Sequence, residues 1–195
     1  MKVGILGGAF DPPTIGHTSI ASFMTKILDE VWIMPCYQSA FGKKMTSNEH
    51  RIKMCELAVQ NIENVKASSF EIDHQITGGT IYCVEKLKKE FPQHEFFWII
   101  GQDNANVFHL WHRSEELKKM IPFIVVPRRG YVDSEKTSWY KEAPHVYLPE
   151  IELPEISSTA VRNWILEKNN IEILMINTEV LRYVEHFGIY QREKS

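Results

Sequence analysis

Apolar and polar positions alternate in blocks along this chain, and the blocks have two characters. Short, mainly apolar runs occupy residues 3–6, 31–34, 65–72 (broken by Lys66, Ser68, Ser69 and Glu71), 95–100, 122–127 and 146–148. Runs of that length, rich in Val, Ile and Phe, predict strands buried on both faces. Pro35 closes the second run, and Pro122 and Pro127 bracket the fifth, where a missing N–H harms a ladder least. Between the runs lie longer stretches with helical periodicity. Residues 15–28 predict a helix with Ile20, Phe23, Ile27 and Leu28 on one face. Thr46 precedes Glu49 by three residues, a capping-box pattern that opens a helix carrying Ile52, Cys55, Val59 and Ile62 on one face. Residues 80–91 predict another, with Ile81, Val84, Leu87 and Phe91 inward. Two closing helices fall near residues 159–167 and 178–186.

Strand–helix alternation with continuously apolar strands predicts an α/β chain: a doubly wound, mainly parallel sheet of five or six strands with helices on both faces. Ligands of such sheets sit beyond the carboxyl ends of the strands, where helices begin. Candidate chemistry is therefore sought just after each apolar run.

Composition narrows the picture only slightly. The 195 residues suit one domain, residues 1–195, without repeats or low-complexity tracts. A net charge of −3 gives no basic excess for nucleic acid and no Lys/Arg block for a membrane surface. No apolar run approaches the ~20 residues of a membrane span, and the residues after Lys2 do not read as a signal peptide. Cys36, Cys55 and Cys83 form no C-x-x-C pair and read as reduced thiols of a cytoplasmic protein.

The first apolar run ends in GGAFDPPTIGH, residues 7–17. Gly7 and Gly8 let backbone N–H groups approach a bulky anion. Pro12 and Pro13 stiffen the loop. Gly16 and His17 fall in the first turn of the following helix, whose free N–H groups and partial positive charge suit phosphate. The glycines alone fit an ordinary turn equally well, and neither G-x-G-x-x-G nor the P-loop pattern is matched. A second segment repeats the logic far away. In ISSTAVR, residues 156–162, Ser157, Ser158 and Thr159 open a helix and Arg162 lies one turn on, able to fork onto phosphate. Alone, that segment reads as an ordinary Ser/Thr cap beside an exposed Arg.

Together the two segments resemble the G-x-F-D-P-x-[HT]-x-G-H and I-S-S-T-x-x-R signatures of the nucleotidyltransferase superfamily. The resemblance implies a Rossmann-like nucleotidyltransferase fold, with the helical part from about residue 157 completing an ATP site. It implies that Thr14, His17 and Arg162 act on the triphosphate, with Gly7, Gly8, Ala9, Phe10, Gly16, Ser157, Ser158 and Thr159 around it. Segments between the signatures resemble the bacterial nicotinate-mononucleotide adenylyltransferase family. FGKKMTSNEHRIKMCELA resembles its lysine loop followed by a helix with S-x-E-x-R, which points to Lys43 on the substrate side. GGTIYCVEKLKKEFP resembles its S-Y-T segment and points to Thr80, with Cys83 standing where a second threonine is usual. FFWIIGQDNANVFHLWHRSEEL resembles its I-G-x-D and W segment, which implies Gly101 and Asp103 at the ATP ribose and Trp111 against the pyridine ring. FIVVPRRGY resembles its V-x-x-R-P-G-Y and points to Arg128 at the mononucleotide phosphate or carboxylate, with Arg129 in place of the usual proline. Thr14 stands where this family usually has His; Asn169, Asn170 and Asn177 also depart from it.

The implied activity moves AMP from ATP to the 5′-phosphate of nicotinate mononucleotide. Mg2+ is implied with ATP, and no metal bound by the protein alone. His109 and His112 flank Trp111 without a third ligand at plausible spacing. Trp98 and Phe97 read as core; His50, His74 and His94 read as surface. Nicotinamide mononucleotide or phosphopantetheine as acceptor, and a nucleotide-binding sensor without turnover, remain as alternatives, and a homo-oligomer is left open.

Overall fold

The computed structural model describes residues 1–39, 42–128, 135–151, 154, 156–167 and 175–191. Arg129, Asn169, Asn170 and part of the 38–46 loop lie outside them. Among the described residues the strands are β1 (Lys2–Gly8), β2 (Glu30–Pro35), β3 (Val65–Ala67), β4 (Glu95–Gly101), β5 (Phe123–Val126) and β6 (Val146–Tyr147). They form one sheet in the order β3-β2-β1-β4-β5-β6, and every pairing is parallel. The helices are α1 (Ile15–Met24), α2 (Asn48–Val59), α3 (Phe70–Asp73), α4 (Thr80–Glu90), α5 (Gln102–Asn106), α6 (Ser114–Met120), α7 (Ser158–Glu167) and α8 (Thr178–His186), with 3-10 turns at Phe108–Leu110 and Glu135–Lys141.

Side chains alternate across each strand, so the sheet has a core on both faces. Val31, Ile33, Ile99, Ile124 and Val126 face α1, α2, α7 and α8. Ile5, Met34, Trp98, Ile100 and Phe123 face α4, α5 and α6. Each such side chain contributes about 1.5–3 kcal/mol by leaving water. This is why both faces of these strands are apolar in the sequence. The strand order reverses between β1 and β4, which puts the ends of those two strands at the edge of the crevice where such sheets bind ligands.

Several predicted boundaries move. The first helix stops at Met24 rather than residue 28; the chain turns through Lys26 and Ile27, and Ile27 is 49% exposed while Leu28 stays buried. The third strand is only Val65–Ala67. Ser68 and Ser69 then turn the chain into α3, with the Phe70 N–H donating to Ser68 Oγ at 3.4 Å. The N-cap of α2 is Ser47, whose Oγ accepts from the His50 N–H, not Thr46. The inward stripe of α2 is Arg51, Met54, Cys55, Ala58 and Val59, with Ile52 only half-buried. Of the three predicted surface histidines only His74 is exposed; His94 packs among Trp32, Phe91 and Phe96, and His50 against Tyr183. The three cysteines are free thiols, Cys55 and Cys83 buried. No helix among the described residues is long and apolar enough to cross a membrane.

Candidate active site

A cleft of about 1540 Å³ opens over the ends of β1 and β4. That exceeds the ~300–1,000 Å³ of a site for one small ligand and leaves room for two nucleotides. Gly7, Gly8 and Ala9 line it where β1 ends, and Gly101 and Asp103 where β4 ends. Thr14, Gly16 and His17 line it from the start of α1, and Ser157, Ser158 and Thr159 from the start of α7. Lys43, Thr80, Trp111 and Arg128 complete the wall. Phe10 and Arg162 lie behind that wall, Phe10 almost wholly buried and Arg162 against the first turn.

The first turn fixes the chemistry of His17. The Thr14 N–H donates to His17 Nδ1 at 3.0 Å, the back-reaching half of a capping box. A backbone amide can only donate, so Nδ1 is the acceptor and a neutral ring carries its proton on Nε2. Burial, and secondarily the positive charge of Arg128, lowers the His17 pKa from 6.5 to about 4. The ring is therefore neutral at physiological pH and offers a fixed N–H donor. The Phe10 ring meets it edge-on at 5.0 Å.

The second turn closes on the first. Thr14 Oγ1 donates to the Ile156 carbonyl at 3.3 Å and lies 2.9 Å from His17 Nδ1, so the hydroxyl is engaged within the protein. Ser158 Oγ donates to the Pro12 carbonyl at 2.8 Å, and Arg162 Nη1 to the Asp11 carbonyl at 2.6 Å. Ser157 Oγ accepts from the Ala160 N–H at 3.1 Å and caps α7. Gly16 permits this closeness, because a β-carbon there would lie 3.0 Å from the Pro154 carbonyl oxygen. Two helix N-termini thus meet at one side of the cleft, each offering backbone donors to an anion.

Across the cleft, Asp103 folds back over Gly101. A β-carbon on Gly101 would come within 2.5 Å of Asp103 Oδ1, so the carboxylate could not keep this position beside a larger residue. Asp103 Oδ2 accepts from Arg128 Nη1 at 2.5 Å. Asp103 Oδ1 is buried and has no hydrogen-bond partner among the described residues. Such an orphaned acceptor suits a ligand hydroxyl. Trp111 is half-buried, tilted on Phe108 with centroids 5.1 Å apart. Beside it Tyr82 stacks on His112, with the phenol oxygen 3.1 Å from Nε2.

Three residues here were not singled out from the sequence. Arg51 is fully buried on α2. Its guanidinium donates to the carbonyls of Thr46 (3.1 Å), Ala9 (2.9 Å) and Cys36 (2.6 Å) and to Asn48 Oδ1. It clamps the carboxyl ends of β1 and β2 together. Its sequence signals were the arginine of the S-x-E-x-R pattern and its place in an otherwise apolar stripe. Glu71 lines the cleft and accepts the Tyr37 N–H at 3.0 Å. Burial pushes its carboxyl up to about 7, opposed by that hydrogen bond and by the Arg51 charge. Tyr190, near the far end of the chain, bonds the buried Asp11; nothing in its spacing announces that partner.

Residues 5–164 match the cytidylyltransferase-like family model. The chain is 31% identical over 195 residues to a probable nicotinate-nucleotide adenylyltransferase of Bacillus pumilus, covering 97% of this chain and 98% of that one. It is 33% identical over 198 residues to the nicotinate-nucleotide adenylyltransferase of Bacillus subtilis, covering 97% and 98%. A Plasmodium falciparum nicotinic acid mononucleotide adenylyltransferase complexed with NaAD has the same fold, with a TM-score of 0.83, 22% identity and 97% of each chain covered.

Proposed function

The chain belongs to the nicotinate-nucleotide adenylyltransferase family, within the cytidylyltransferase-like group, and from that membership we infer that it transfers AMP from ATP to the 5′-phosphate of nicotinate mononucleotide in NAD biosynthesis. A phosphate oxygen of the mononucleotide attacks the α-phosphorus, the bond to the bridging oxygen breaks, and pyrophosphate leaves. The product is nicotinate adenine dinucleotide. No covalent intermediate with the protein is needed; positioning and charge stabilisation supply the rate.

The observation that carries the assignment of roles is the closure of the Thr14–His17 turn on the Ser157–Arg162 turn beside one cleft. The triphosphate lies against both helix N-termini. His17 Nε2–H donates to the phosphate charge that develops in the transition state. Thr14 holds His17 and the opposing turn in register. Ser157 and Thr159 supply hydroxyls and the turn supplies N–H groups, Ser158 pins it to Pro12, and Gly7, Gly8 and Ala9 form the floor. Phe10 braces His17 from behind. Arg162 secures the turn through Asp11 and adds positive charge. The buried Asp103 Oδ1 accepts an ATP ribose hydroxyl. On the acceptor side, Lys43, Thr80 and Arg128 meet the anionic mononucleotide and Trp111 offers a flat face to the pyridine ring. Arg128 must then exchange Asp103 for substrate.

Mg2+ enters with ATP. The ion would be held mainly by ATP and water rather than by a carboxylate cage, and it would supply charge neutralisation to the phosphates. Residues 1–195 act as one nucleotidyltransferase domain with its C-terminal helices completing the ATP site, and the reaction belongs in the cytoplasm, where the free thiols persist. Association of copies into a homo-oligomer is compatible with this reading. The test is pyrophosphate release from ATP and Mg2+ with nicotinate mononucleotide, nicotinamide mononucleotide or phosphopantetheine. The nicotinate acceptor gives the highest kcat/KM, and His17→Ala lowers kcat by about two orders of magnitude, the size of one lost oxyanion donor. ATP binding without pyrophosphate release for every acceptor refutes the assignment and leaves a nucleotide sensor.

A further inference from the structure

We propose that Tyr190 is a positioning residue for the transfer: its phenol, from the segment after α8, holds the Asp11 carboxylate and so fixes the turn that presents His17. The proposal rests on the role given to His17 above. Tyr190 Oη donates to Asp11 Oδ1 at 2.5 Å across 179 positions of sequence. Asp11 is only 3% exposed. Its Oδ2 accepts from the Thr46 N–H at 3.2 Å, and its carbonyl accepts from Arg162. Every oxygen of Asp11 is thus held, each by a different part of the chain.

The held residue stands at a point where the backbone is under stress. Phe10, just before Asp11, has φ of 47°. A bulky side chain in that region costs on the order of 1–3 kcal/mol and persists only where the surroundings impose it. The ring so placed is the one that meets His17 edge-on. Tyr190 is itself left-handed, with φ of 66°. A second unfavourable conformation at the other end of the same hydrogen bond indicates that the contact, not local preference, sets the geometry. Thr46, the third member, ends the loop carrying Lys43, so one carboxylate ties the phosphate turn, the acceptor loop and the C-terminal segment together. Burial and the adjacent Asp11 keep the phenol protonated well above the usual tyrosine range, so it remains a donor.

Tyr190→Phe removes one oxygen and keeps the packing. Asp11 then loses a donor in a place closed to water, and the Phe10–His17 contact loosens. Since a misplacement of ~1 Å costs about 100-fold, a shift of half that lowers kcat about tenfold. KM for each substrate stays within about twofold. Tyr183→Phe, which removes a phenol paired with His50 of α2 and not with Asp11, keeps the wild-type kcat. Asp11→Asn breaks the contact from its other side, and the double variant costs no more than the larger single change. The 15N resonances of the His17 ring report the contact without turnover: they move in Tyr190→Phe and not in Tyr183→Phe. If the wild-type chain releases no pyrophosphate, the functional reading has failed and the ring resonances alone decide this proposal. A Tyr190→Phe kcat within twofold of wild type, full additivity with Asp11→Asn, or unmoved His17 resonances would overturn it.

Discussion

Replacing Gly16 with alanine sets two effects against each other. Gly16 is helical, so alanine favours folding by about 0.5–1 kcal/mol through propensity. The new β-carbon, however, lands 3.0 Å from the Pro154 carbonyl oxygen and 3.5 Å from Thr14 Oγ1. Ordinary contact begins near 3.4 Å, so the two turns must part by about 0.4 Å. The obstacle is backbone, which cannot swing aside as a long side chain can. If ~1 Å of misplacement costs about 100-fold, and the cost scales logarithmically, 0.4 Å costs about sixfold in kcat. Stability changes by less than about 1 kcal/mol, because propensity and crowding offset each other. The measurement pairs steady-state pyrophosphate release at saturating substrates with urea unfolding. A Gly16→Ala enzyme with unaltered kcat would show that the spacing of the two turns does not govern transfer. A large loss of stability with normal kcat would show that the closure serves folding alone.

Arg51→Met strips the partner from three backbone carbonyls at about 1 kcal/mol or more each, so urea unfolding should show a loss of about 3 kcal/mol; a loss below ~1 kcal/mol contradicts the clamp. Asp103→Ala removes the partner of Arg128 and should raise the ATP dissociation constant while leaving acceptor binding unweakened or tighter, read by calorimetry; an unchanged value for ATP refutes the ribose contact. His17 has its pKa lowered on folding, so the folded state resists the proton that the unfolded chain takes up. Its contribution is present above pH 6.5 and is lost as pH falls toward 4, by about 3 kcal/mol in total. His17→Gln should flatten that part of the stability–pH curve, and parallel curves for the two proteins would count against a ring held neutral by the fold.

What the sequence disclosed depended on how local the cause was. The buried strands were legible because a parallel sheet covered on both faces needs unbroken apolar runs, and residues 95–100 and 122–127 are such runs. The two turns beside the cleft were legible as turns because glycines, prolines and hydroxyls announce tight turns and helix starts. The end of α1 was not, since Ile27 and Leu28 continue the apolar pattern while the backbone has already turned. Residues 65–72 misled for a similar reason: Phe70 and Ile72 extend the run, but the Ser68–Ser69 pair diverts the chain into a helix. The pairing of Arg128 with Asp103 and the commitment of Thr14 to Ile156 could not be read at all, because those partners meet only in the folded chain. The grip of Arg51 was hidden by its identity, since a charged residue in a helix is ordinarily taken for solvent-facing.

The seam between the two turns also sets when, in the life of a molecule, the site can exist. Residue 162 reaches residue 11 across 151 positions, so a nascent chain carries its glycine turn long before the serine turn has been made. At roughly 5–20 residues per second of synthesis, that interval lasts about 8–30 s. Throughout it the ribosome-bound chain carries the first turn without the partner that closes on it, and a protein cut short before α7 never forms the seam.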